Sequence, residues 1–216
     1  MSKTKSTSLI LLSLLAVLAV NAVASSSALA AEKCATVKTE WEFCSGGNEL
    51  ETATPVEGTS GTSTLSAGGI TIECAKDTLK GVFEDAGKSQ GEVNFTSCKV
   101  AEAPNCNVAE PIEFPFKSQL VGKLETGKEE TEFKPAEGTT FVEITISGSA
   151  CVLKGKYTVT GTQTCKMPKP EEVLAEHTIE CTPAGSSLKL GGATAEFTST
   201  VKVKLASGKT WTAKLS

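Results

Sequence analysis

The chain has 216 residues, 21 basic residues against 25 acids, a formal net charge of −4, eight cysteines and a single histidine. Every base is a lysine, so the bidentate guanidinium reader of phosphate and guanine is missing, and the net negative charge speaks against nucleic acid or anionic membrane as the main partner. Aromatics make up only 5%, which leaves the core to Val, Ile, Leu and a few Phe, with covalent bridges to compensate.

Lys3 and Lys5 precede an uncharged run, Leu9 to Val20, and Ala28 and Ala30 supply the small residues of a cleavage site. Residues 1–30 therefore read as a secretory signal peptide with a helical apolar region. Asn21 and Ser25 to Ser27 stop that run short of the roughly 20 apolar residues a membrane span needs. Cleavage before Ala31 also removes two lysines, so the mature charge is about −6. The mature chain is expected to be secreted, with no transmembrane segment.

All eight cysteines follow the cleavage site: Cys34, Cys44, Cys74, Cys98, Cys106, Cys151, Cys165 and Cys181. An even count in an exported chain points to disulfides. Structural zinc would want short C-x₂₋₄-C pairs or added histidines, and a redox centre would want C-x-x-C. Neither is present. Closing the shortest loops gives Cys34–Cys44, Cys98–Cys106 and Cys165–Cys181, which leaves Cys74–Cys151 as the long bridge. Residues 31–68 read as a cysteine-containing segment that ends in a flexible connector, Pro55 to Gly69. Residues 69–216 read as the main β domain.

Within that domain the apolar period is two. Ile70, Ile72 and Cys74 share a parity, as do Ile112, Phe114 and Phe116, then Val142, Ile144 and Ile146, and later His177, Ile179 and Cys181. Pro115 marks its strand as an edge or a bulge. Asn94-Phe95-Thr96 fits a glycosylation acceptor but sits in an ordinary strand pattern. Alternation over so many segments predicts an all-β fold, an antiparallel sandwich or a barrel-like domain. Only Lys169 to His177 reads as helical, for one or two turns, with Pro170 near its start. At the carboxyl end, the odd positions from Ala195 to Leu205 and the run Trp211, Ala213, Leu215 predict a hairpin. A three-residue loop through Gly208 would pair Leu205 with Trp211.

The chemistry is sparse. His177 must serve any Ser-His-Asp or Cys-His machinery, with Asp77, Asp85 or a glutamate as its acid. Ser147 to Cys151 ("SGSAC") looks only loosely like a nucleophile loop, and its cysteine belongs to the bridge set. Glu84 to Glu92 has acids and glycines without the order of a calcium loop. No phosphate-cradling or dinucleotide loop occurs. No catalytic residue, cofactor or metal ligand is assigned.

The segments "ITIECAKDTLKG", "VNFTSCKVAEAPNC", "ISGSAC" and "HTIECTPAGSSLKLGG" resemble a set of secreted, cysteine-containing β-domain proteins of soil actinobacteria that carry no assigned activity. The resemblance implies an exported, disulfide-bonded β domain and supplies no ligand. The expectation is a secreted or envelope-associated, non-enzymatic domain with a structural or binding role, and an envelope or extracellular component as partner. The alternatives are a carbohydrate-active hydrolase using paired glutamates or a protease-inhibitor-like binder that presents a bridged loop.

Overall fold

The computed structural model describes Cys34, residues 41–122 and residues 129–215; the expected signal peptide lies outside them. The fold is nearly all β. The strands are β1 (Trp41–Ser45), β2 (Asn48–Glu49), β3 (Thr54–Ser60), β4 (Ser63–Ala67), β5 (Ile70–Phe83), β6 (Lys88–Val100), β7 (Asn107–Val108) and β8 (Ile112–Val121). They continue with β9 (Glu130–Pro135), β10 (Thr140–Ser147), β11 (Gly155–Thr160), β12 (Gln163–Lys166), β13 (Glu176–Ser186), β14 (Lys189–Leu190), β15 (Ala193–Leu205) and β16 (Thr212–Leu215). Among the described residues no helix is long and apolar enough to cross a membrane.

The antiparallel ladders close on themselves twice. A first ring runs β3-β5-β6-β8-β9-β12-β13-β15 and back to β3. A second runs β4-β5-β6-β7-β10-β11-β14-β15 and back to β4. The rings share β5, β6 and β15. Each long strand serves one ring with one end and the second ring with the other. The inward parity of β5 records the change: Ile72 and Cys74 face in, Ala75 and Lys76 are both exposed, and then Asp77 and Leu79 face in. Eight strands enclose an interior that side chains fill. In the first ring Phe116 packs edge-on to Phe133 at 5.3 Å, while Phe114 stacks on Phe141 at 3.8 Å and ties the two cores together. The hairpin between β5 and β6 needs glycine where Gly81 opposes Gly91: a Cβ at Gly91 would lie 2.3 Å from the Lys80 carbonyl.

The outer face explains the scattered charge. One row of cross-strand neighbours runs Glu176, Lys204, Glu57, Lys80, Glu92 across five strands, its sign alternating at every step. Opposite charges on facing positions favour this register by a few tenths of a kcal/mol per pair.

Five expectations are corrected. Pro55 to Gly69 is no flexible connector: it forms β3 and β4, so residues 54–67 belong to the sheet expected to begin at 69. Gly68 and Gly69, both at positive φ, turn β4 into β5. Pro115 lies in an interior strand, between β6 and β9. Its carbonyl accepts the Ala136 N–H at 2.9 Å, just past the end of β9. N–H and C=O of one residue point the same way in an antiparallel strand, so the missing donor falls where that ladder has already stopped.

The carboxyl-terminal hairpin does not form. β15 has β13 on one side and β3 on the other, and Leu205 pairs with Val56. The turn through Gly208 (φ 72°) exists, but the chain leaves the barrel wall and β16 pairs with β1. Lys169 to His177 makes one turn, Glu172 N–H to Lys169 O at 3.2 Å, and no helix. Leu174 instead bridges Trp211, and His177 lies on β13.

The disulfides Cys34–Cys44 and Cys165–Cys181 are present, but the other two are Cys74–Cys98 and Cys106–Cys151, not Cys98–Cys106 and Cys74–Cys151. Register decides this. The β5–β6 ladder sets Cys74 directly opposite Cys98, which leaves Cys106 for the loop after β10.

Candidate functional site

Three places concentrate polar chemistry or covalent constraint: the mouth of the first ring, the junction of the rings, and a bridged pair of loops beside the second ring.

At the mouth, β16, β1 and β2 form a separate three-stranded sheet. Phe43 stacks on Phe83 at 3.8 Å, and Trp211 packs against Phe83 at 4.8 Å, so the sheet caps the barrel. His177 lies beneath it, only 1% exposed. Its Nε2 is 3.0 Å from the Trp211 carbonyl and its ring centre 4.2 Å from the indole, while Nδ1 is buried without a partner. A carbonyl can only accept, so Nε2 carries the hydrogen. Burial pushes the imidazole below its ordinary range, against smaller raising effects of the Trp211 carbonyl and Glu172. His177, which shares its parity with Ile179 and Cys181, is fully enclosed. It shares no hydrogen bond with Asp77, the first acid considered for it.

Asp77 lies at the junction, 1% exposed. The Ser60 and Ser63 hydroxyls donate to its Oδ2, and Ser199 Oγ is 3.3 Å from that oxygen and 2.8 Å from Ser63 Oγ. Its Oδ1 is buried without a partner. Burial pushes the carboxyl above its usual range, and the three hydroxyls pull it only partly back. Ser60 ends β3 and Ser63 begins β4, so the Gly61-Thr62 step between the rings is pinned to β5 and β15, two of the three strands that both rings share.

Among the described residues, small cavities of about 30, 40 and 30 Å³ lie along the barrel, lined mostly by Phe, Val, Ile and Leu. Each has room for a few water-sized molecules.

The bridged loops are the accessible candidate. Residues 101–111 and 148–154 meet at Cys106–Cys151. Further ties hold the first loop to the β5–β6 ladder. Glu102 Oε2 accepts the Thr71 N–H at 3.0 Å, and the Glu110 carboxylate accepts the N–H groups of Ser97, at 2.9 Å, and of Cys98. Bonding to Thr71, through its hydroxyl first and its N–H second, holds the Glu102 carboxyl below the usual range. Gly148 sits where a Cβ would come 2.4 Å from the Asn105 carbonyl, so the loops interlock. At the tip, next to Cys151, Val152 is 92% exposed. The bridged loop that the inhibitor-like alternative would present, Cys98 to Cys106, does not exist as a closed loop: Cys98 pairs with Cys74, and Cys106 ties two loops together through Cys151. The "SGSAC" stretch forms part of this two-loop edge, with Cys151 in the bridge.

The sulfurs of Cys34 and Cys44 and a carboxylate oxygen of Glu42 lie within 4.8 Å of one another, but the two sulfurs are bonded to each other, which removes them as thiolate ligands. Asp77 with its serines escaped the sequence reading. Its signal was hidden: Asp77 shares a parity with Leu79 and Phe83 but not with Ile72 and Cys74, because β5 changes its inward face at Ala75 and Lys76.

Comparison with protein families, with curated proteins and with solved structures finds no match for this chain.

Proposed function

We propose that this protein is an exported, non-catalytic β domain that works by structure or binding, and that the bridged loops 101–111 and 148–154 are its recognition edge. The observation that carries the reading is Val152: a nearly fully exposed branched apolar side chain on a loop held by a disulfide, an interlocking glycine and carboxylate clamps. A loop already fixed in one conformation loses little entropy on binding, which favours a recognition role. Four disulfides, with every described cysteine bonded, support an oxidising, extracellular location. The resemblance of the cysteine-bearing segments to secreted actinobacterial proteins points the same way.

The test is capture from culture medium and solubilised envelope with immobilised wild-type protein, set against Val152→Asp and a Cys106→Ser/Cys151→Ser double variant. The reading expects a partner retained by wild type and lost from both variants. Equal retention by all three would move the edge elsewhere. Release of reducing sugar from wall polysaccharide, abolished by a Glu→Gln substitution, would favour the hydrolase alternative instead.

A further inference from the structure

The cap over the first ring is a unit of its own. Among the described residues no ladder joins its three strands to the large sheet. Aromatic packing holds it down, together with the strap 170–174: Leu174 and Trp211 exchange N–H to carbonyl bonds at 2.8 and 3.1 Å, and Pro170 O accepts from Ala213 N at 2.8 Å and Thr212 Oγ1 at 2.9 Å. His177 is a polar contact from the barrel to this assembly, through the same Trp211 carbonyl that Leu174 uses.

We propose that the cap is an acid-released latch with His177 as its trigger: proton uptake at Nδ1 undocks Trp211 and the strap while both rings stay closed. The neutral ring fits its place because Nε2–H has an acceptor and Nδ1 needs none. A proton on Nδ1 creates a cation with a donor buried in an aromatic pocket and no acceptor to meet it. Charges around the site do little to offset that. Glu172 faces the ring from the strap, but Lys169 holds it at 2.9 Å. Glu176 of β13 and Lys202 and Lys204 of β15 are exposed on the outer surface, in pairs with one another and with Glu57. The charged groups on the cap's strands are Glu42, Glu49 and Lys214.

The sign follows from linkage. Docking lowers the affinity of His177 for a proton, and in the released state the ring titrates near its ordinary value of about 6.5. Docking is therefore fully favourable above that value. As the pH falls below it, the docked-to-released ratio drops by up to about tenfold per pH unit, until the docked ring itself takes the proton.

The chain suits the test. It has one histidine and two tryptophans, Trp41 and Trp211, and both tryptophans belong to the cap. The experiment follows the single imidazole C2–H resonance, tryptophan emission and far-ultraviolet circular dichroism of the whole protein from pH 7.5 to 4. Expected is a red shift of tryptophan emission that coincides with imidazole titration, at unchanged β signal. His177→Gln keeps an uncharged N–H donor for the Trp211 carbonyl and should abolish the shift. Three results would overturn the latch: emission constant to pH 4, the same shift in His177→Gln, or loss of β signal together with the shift. Should His177→Gln fail to fold, the wild-type titration decides, because an imidazole that titrates without moving the tryptophan emission is no trigger.

Discussion

The two rings share three strands and yet are closed by different means. In the first, each ladder has between four and eleven register pairs in continuous strands, apart from the three of the β12–β13 ladder, which Cys165–Cys181 staples. In the second, closure passes through β7 and β14, two residues each, and β7 touches β6 at the single pair Lys99–Asn107. The Cys106–Cys151 bridge stands beside that weakest link. The division of labour is local: where the β6–β7 ladder shrinks to a single pair a covalent bond stands beside it, whereas the two-pair ladders of β14 to β11 and β15 carry no disulfide. Both disulfides inside a ladder, Cys74–Cys98 and Cys165–Cys181, join residues that already face each other, whereas Cys106–Cys151 joins two loops.

The largest effect should come from the packed side. Phe116→Ala in the first ring removes a buried ring from contact with Phe114 and Phe133 and should cost about 3–5 kcal/mol in urea unfolding. The transition should stay single and cooperative, because the shared strands couple both rings. Next, replacing Cys106 and Cys151 by serine opens a 45-residue loop, worth up to about 4 kcal/mol on chain-entropy grounds. Here the signature is local: amide exchange should quicken in β10 and β11 while β8 and β9 keep their protection. Equal loss of protection in both rings would erase the distinction drawn above.

Asp77 tests the seam between them. Its folded carboxyl is pushed up, so its contribution is present below the unfolded value of about 3.9 and is lost as the pH rises through the folded one. Asp77→Asn should therefore gain stability relative to wild type between acid and neutral pH, by about 1–2 kcal/mol, with thermal melts across that range as the measurement. A parallel pair of curves would mean that the carboxyl keeps its proton equilibrium on unfolding. Smallest is Val152→Ser, expected within about 0.5 kcal/mol of wild type, since the side chain supports nothing in the fold.

What the sequence disclosed follows the same division. Period-two alternation in "FVEITIS" and "HTIEC" marks β10 and β13, and Cys165–Cys181 followed from a short loop. The Gly-Gly pairs at 68–69 and 191–192 are two-residue turns written into the chain, and the first would have turned the supposed connector into a hairpin. Ring closure was out of local reach. That Val203 meets Gly58 depends on register between distant strands, and that Cys74 meets Cys98 depends on the register of the long β5–β6 hairpin. A carboxyl-terminal segment with one apolar parity satisfies a hairpin as well as a cap. Only the occupied flanks of β15 separate the two. His177 reads as any inward strand residue until Trp211 is placed over it.

β15 also sets the order of events during synthesis. It pairs with β3 and β4 near the front of the fold, with β13 and β14 just before it, and it completes both rings at once. A chain that emerges amino end first can form the β5–β6 hairpin early, because its partners are neighbours in sequence. It cannot close either barrel until residue 205 is out, and the loop-closure entropy of joining β3 to β15 falls due at that moment. Until then β3 and β4 present bare flanks, and the polypeptide stays pliable enough to be threaded or handed on before it locks.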